Sequence, residues 1–203
     1  ILRGSEAKTA NGNLLLNQLL GAKIDYVSDQ AFEHLDGLYE RKVVELSGLG
    51  ERPYRIPIGA SDELGLWGYI QAAKELAADF SSAQIQPSCM VTAVGSGGTY
   101  AGLLLGQALY KLSLPVIGIC VSRNAGFFER KAAIDTARWQ TRFQSSLNPE
   151  PGQLRDDFIG EGYGLASPEV YRLIAWLAQL EGIILDPIYT GKAFQGLIEM
   201  IQQ

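Results

Sequence analysis

Ser88-Cys89-Met90-Val91-Thr92-Ala93-Val94, followed at once by Gly95-Ser96-Gly97-Gly98-Thr99-Tyr100-Ala101-Gly102, reads as an apolar strand, a glycine turn and the start of a helix. A strand that is apolar at nearly every position is buried on both faces, the mark of a parallel sheet covered by helices. At the turn, the first N–H groups of the helix have no intrahelical partner and the helix dipole adds partial positive charge. Glycines let an anion come within hydrogen-bond distance of the main chain. Ser96 and Thr99 add hydroxyl donors. From spacing alone, the same glycines could serve only to let the helix pack on the sheet.

Outward from this turn, strand-like pieces alternate with stretches of helical period, the signature of βαβ units. The strand-like pieces are KIDYVS (23–28), PYRIPIG (53–59), SCMVTAV (88–94), PVIGICV (115–121) and GIILDPI (182–188). Helical periodicity follows Gly12-Asn13 and covers 63–80, Thr99–Leu112, Phe127–Ser145, Ser167–Gln179 and Lys192–Gln203. Ser167-Pro168-Glu169 is a good helix start, because proline at the first turn gives up an N–H that has no partner there. SLNPEPGQLRDD (146–157) reads as a polar loop, and SGLGERPYRIP (47–57) as a junction between lobes. The fold class expected is α/β, with open parallel sheets and helices on both faces.

Composition narrows the function. With 47% hydrophobic and 19% charged residues among 203, the chain can bury enough surface to offset its ordering entropy. Its 17 basic against 22 acidic residues give a net charge of -5 with no basic cluster, so nucleic acid and anionic membranes are not expected partners. Cys89 and Cys120 lie inside apolar runs and read as reduced core thiols in a cytoplasmic protein. They and the single His34 do not make a metal site, and His34 in AFEHLDGLYERK reads as part of a solvated helical face. No apolar run is long enough for a membrane span, and ILRGSEAKTANG is not a signal peptide. Ile1 opens a strand-like piece without an initiator methionine, so a fragment is expected.

Which phosphate the turn would hold depends on its neighbours. Tyr100 stands where a dinucleotide motif needs its third glycine, and about twenty residues on, Cys120-Val121-Ser122 offers no ribose-binding acid. No lysine follows the glycines as in a Walker loop, and Gly191-Lys192 is followed by Ala193 without a glycine run before it. Two further clusters stand out. Asp186-Pro187-Ile188-Tyr189-Thr190-Gly191-Lys192-Ala193 is another strand end entering a helix, and Gly160-Glu161-Gly162-Tyr163-Gly164 sets a tyrosine among glycines.

Taken in order, I-P-I-G-A-S with Leu64-Gly65, G-S-G-G-T-x-A-G, G-x-G-Y-G and L-D-P-I-Y-T-G-K-A resemble the D-cysteine desulfhydrase and 1-aminocyclopropane-1-carboxylate deaminase family. These are pyridoxal-phosphate enzymes with the tryptophan-synthase β-subunit fold (fold type II). Gly12-Asn13-Leu14-Leu15 with Leu20-Gly21-Ala22 fits the family's small lobe, so the resemblance runs over nearly the whole chain. It implies two lobes, 1–55 completing a small one and 56–203 forming a large cofactor-binding one incomplete at its end. It also implies that Gly95, Ser96, Gly97, Gly98 and Thr99 cup the cofactor phosphate, that Thr190 meets the pyridine nitrogen, and that Tyr163 and Tyr189 are catalytic residues facing a small amino acid.

The resemblance further separates two branches. The deaminase branch carries glutamate where this chain has Thr190, and threonine suits α,β-elimination of D-cysteine to pyruvate, ammonia and sulfide. The family's Schiff-base lysine and its Ser-Asn pair correspond to sequence upstream of Ile1. None of Lys8, Lys23, Lys42, Lys74, Lys111, Lys131 and Lys192 has the catalytic context; Lys192 belongs to the Y-T-G-K motif. The chain alone is therefore expected to be inactive, the protein that carries it a lyase, and its assembly a homodimer. The alternatives are a deaminase and a non-catalytic remnant of the same fold.

Overall fold

The computed structural model describes residues 1–6 and 9–202. Lys8 and the terminal Gln203 of the expected last helix lie outside the described residues. The chain divides into two compact units, Ile1–Ile56 and Pro57–Gln203.

In the first unit, β1 (Leu2–Arg3) runs parallel to β2 (Tyr26–Val27), with α1 (Gly12–Leu19) between them in sequence. Two helices follow, α2 (Asp29–Glu33) and α3 (Leu35–Gly48). Ser28 caps α2 by accepting the Ala31 N–H at 3.2 Å. His34 breaks what the sequence suggested was one continuous helical face, and it is exposed at the joint. The expected strand 53–59 does not form. Pro53 and Pro57 remove ladder donors, Arg55 stacks on the Tyr39 ring at 4.7 Å and pairs with Asp36, and the Tyr39 hydroxyl donates to Ile56 O.

The second unit opens with a turn of tight helix at Ile58–Ala60 and then α4 (Leu66–Ala83). After it come β3 (Met90–Val94), α5 (Gly98–Tyr110), β4 (Val116–Cys120), α6 (Ala125–Phe143), β5 (Gln153–Arg155), α7 (Pro168–Glu181) and α8 (Thr190–Gln202). The three strands form a parallel sheet in the order β3-β4-β5, Met90 opposite Val116 and Ile117 opposite Gln153. β5 falls inside the stretch expected to be a loop, because a run this short between prolines and charges shows no alternation. The expected strand 182–188 is absent as well. Pro187 lacks a donor, and the Asp186 side chain takes the N–H groups of Ile188, Tyr189 and Thr190 that a ladder would need.

The side-chain period of two explains why β4 is apolar throughout. Val116 and Cys120 point into the core shared with α4, α5 and α6, whereas Ile117 and Ile119 pack with Phe158 and Ala193 of α8. The sheet is thus covered by helices on both faces. α4 packs tightly against α5, where a Cβ on Gly106 would come within 2.4 Å of Ala73 Cβ. None of the described helices is long and apolar enough to cross a membrane.

Candidate functional site

The glycine turn joins the end of β3 to α5, so its main chain lies at the helix N-terminus. Gly97, at φ +94°, takes a left-handed conformation that costs L side chains dearly, and as the helix cap it has no side chain to satisfy the first N–H groups. Ser61 substitutes for one of them. Its buried hydroxyl accepts the Gly98 N–H at 3.0 Å and donates to Ser96 Oγ at 2.7 Å. The N–H groups of Thr99 and Tyr100 and the half-buried Thr99 hydroxyl have no protein partner among the described residues. Orphan donors at a helix N-terminus suit a phosphate dianion, so this turn fits the phosphate of pyridoxal phosphate.

Side chains around the turn hold it in place. Ser122, just past β4, donates to Gly95 O at 2.9 Å. Lys131 of α6 packs beside Gly97, donates to Ser61 O at 3.1 Å and pairs with the buried carboxylate of Asp135, one helical turn on. The Tyr189 ring lies against Gly95, where a Cβ would come within 2.7 Å of the ring edge. Ser61, Ser122, Lys131 and Asp135 were not singled out as site residues from sequence. Ser61 stood in the I-P-I-G-A-S motif, and the i, i+4 spacing of Lys131 and Asp135 on α6 was the other available signal.

At the second cluster, Asp186 organises the turn into α8. Its carboxylate accepts the N–H of Ile188 (2.8 Å), Tyr189 (2.7 Å) and Thr190 (3.0 Å), and the Thr190 hydroxyl at 2.5 Å. Burial pushes this carboxyl up, but the Thr190 hydroxyl and the three N–H donors outweigh it and hold the group below its usual range. The Thr190 proton is therefore engaged by Asp186, and meeting a pyridine nitrogen as a donor requires giving that bond up.

Tyr163 and Tyr189 meet. Their hydroxyls share a hydrogen bond in which either can donate, and their rings stand edge to face with centroids 5.8 Å apart. Burial, then the bond and proximity to Tyr163, and then Asp186 push the Tyr189 phenol up to about 12. The phenol stays protonated through the neutral range. The structure thus brings together Gly95, Ser96, Gly97, Gly98, Thr99, Tyr163 and Tyr189, while the Thr190 hydroxyl turns to Asp186.

Comparison with known proteins follows the same lines. The model of the family "Pyridoxal-phosphate dependent enzyme" matches residues 5–203. A putative 1-aminocyclopropane-1-carboxylate deaminase of Thermotoga maritima is 37% identical over 96% of this chain and 62% of its own length. A D-cysteine desulfhydrase of Klebsiella pneumoniae is 38% identical over 98% of this chain and 60% of its own. The crystal structure of an ACC deaminase homologue superposes with a TM-score of 0.86 at 32% identity, covering 98% of this chain and 59% of that one. The chain thus spans about 60% of the length of the curated relatives it matches. Its match to the family model from residue 5 onward shows that it belongs to the pyridoxal-phosphate dependent enzymes.

Proposed function

We propose that the turn 95–99 holds the phosphate of pyridoxal phosphate and that the protein eliminates sulfide from D-cysteine, consuming one water and yielding pyruvate, ammonia and hydrogen sulfide. The observation that carries this reading is the pair of orphan N–H donors at Thr99 and Tyr100, with the Tyr189 ring closing against Gly95 beside them. When bound, the cofactor supplies an electron sink for the substrate α-carbon. The chain's own residues do the rest. Ser61, Ser96 and Lys131 fix the shape of the turn, with Ser61 taking the Gly98 N–H and leaving those of Thr99 and Tyr100 to an anion. The Tyr163–Tyr189 pair, kept protonated at neutral pH, donates a proton to the departing sulfur.

Thr190 supports the D-cysteine branch, since a neutral hydroxyl already bound to a carboxylate does not protonate a ring nitrogen as an acid would. Deamination of 1-aminocyclopropane-1-carboxylate is the second reading, favoured by the names of relatives such as the Thermotoga maritima protein. The test compares kcat/KM of the intact protein, Thr190→Glu and Tyr189→Phe on both substrates. Thr190→Glu is expected to lower turnover of D-cysteine by roughly tenfold to a hundredfold, as for the loss of one contact of ~1 to 3 kcal/mol. Robust ring opening by the unmodified protein would assign the deaminase instead. A cytoplasmic homodimer belongs to the same proposal. The unpaired Cys89 and Cys120, with the Cys120 thiol pushed up to about 12 chiefly by burial, are consistent with a reducing compartment, and light scattering measures the assembly.

A further inference from the structure

Lys192 is the one lysine among the described residues that is fully buried, at 1% exposure. A buried ammonium is costly unless its donors are taken up, and this one has no carboxylate partner among the described residues. Its Nζ instead donates to two main-chain carbonyls, Ile159 O at 2.7 Å and Gly162 O at 3.0 Å. Both belong to the segment that carries Tyr163. That segment turns through Gly160, Gly162 and Gly164 at φ +65°, +138° and +81°, and a Cβ at any of the three would meet nothing within 4 Å. Neither backbone stiffness nor packing at these glycines therefore fixes the loop. Lys192 lies in the first turn of α8, three residues after Tyr189 in the turn that leads into it, so one side chain ties the Tyr163 loop to the start of the element that follows its partner.

We propose that Lys192 is a positioning residue whose ammonium, by cross-linking the Ile159 and Gly162 carbonyls to α8, sets Tyr163 against Tyr189. An apolar side chain of the same length fills the volume, leaves the half-buried Ile159 carbonyl without a donor and leaves the Gly162 carbonyl with the Leu165 N–H alone, so the loop loses its tether while the helix stays packed. Burial lowers the pKa of the amine, in keeping with a group held by dipoles rather than by a counter-charge. The inference concerns the geometry of the two tyrosines in the unliganded protein, so it stands or falls separately from the cofactor reading.

The test uses the intact protein with carbon-13-labelled tyrosine rings, the Tyr163 and Tyr189 signals being assigned from Tyr163→Phe and Tyr189→Phe. Lys192→Met is expected to abolish the ring-to-ring Overhauser contact between Tyr163 and Tyr189 and to raise amide exchange across 159–164 at least tenfold. The remaining tyrosine signals should stay in place. Val170→Ala is the control, because Val170 is buried against Gly191 and loosens the packing of α7 on α8 without touching either carbonyl. Should Lys192→Met fail to fold, Lys192→Gln, which keeps an amide donor on a shorter stem, gives the same readout. An unchanged ring contact in the Lys192 variants, or an equal loss in Val170→Ala, would overturn the proposal.

Discussion

The ring of Tyr189 rests on the backbone of Gly95, close enough that a single added carbon there would fall 2.7 Å from Cε1. Two motifs far apart in sequence, the glycine turn after β3 and the turn into α8, thereby share one wall of the candidate site. Gly95→Ala pushes the ring aside. The expected outcome is a roughly tenfold loss in affinity for pyridoxal phosphate, equivalent to ~1.4 kcal/mol and at the low end of overpacking costs, measured by absorbance titration of the intact protein. Unchanged affinity would mean that the contact does not shape the cofactor site.

The phenol pair makes a prediction about pH. Because the Tyr189 phenol is raised to about 12, the folded protein holds this proton more tightly than the unfolded chain does. Its contribution to stability is complete below the ordinary tyrosine value of about 10 and is lost as pH rises from there toward 12. Tyr163→Phe removes one cause of the shift but leaves burial, the largest. The tyrosinate absorbance of Tyr189 should then appear at lower pH, while still above the ordinary value.

Asp186 behaves in the opposite sense. Its folded carboxyl is held below the usual range, so the stability it gives is present above an unfolded value of about 3.9 and lost as pH falls through the lower folded one. Asp186→Asn is expected to cost ~1 kcal/mol at neutral pH, as for loss of a helix-start acceptor. The gap from the parent should close in urea denaturation below about pH 4. A gap of constant size would show that hydrogen-bond geometry, not charge, organises the turn.

Much of this was legible because it rests on local chemistry. SCMVTAV and PVIGICV had to be buried strands, since their apolar residues serve both faces of one sheet, as Ile117 and Ile119 show against Val116 and Cys120. The glycine run could be read from residue types alone as a strand-to-helix turn, and it joins β3 to α5. What failed depended on partners. Segments 53–59 and 182–188 have strand composition, but Arg55 on Tyr39 and Asp186 on the following N–H groups take them out of any ladder. The short β5 gained its place only from pairing with β4. Ser61 was invisible as a cap because it reaches Gly98 from far away in sequence.

The packing of α4 on α5 predicts opposite signs for one kind of substitution. Gly106→Ala drives a methyl to within 2.4 Å of Ala73 Cβ and is expected to destabilise by ~1 to 3 kcal/mol. Gly68→Ala on α4 meets nothing within 4 Å and should stabilise by up to ~1 kcal/mol through helix propensity. Urea denaturation of both variants measures the difference, and equal effects would contradict the close approach of the two helices.

The claim on which the functional account rests is that the N-terminus of α5 receives the cofactor phosphate. A crystal structure of the intact protein grown with pyridoxal phosphate tests it most directly. The account predicts the phosphate seated on the N–H groups of Thr99 and Tyr100 and on the Thr99 hydroxyl, with the Tyr189 ring beside it. A cofactor bound with its phosphate elsewhere, leaving this turn closed on Ser61 alone, would contradict it.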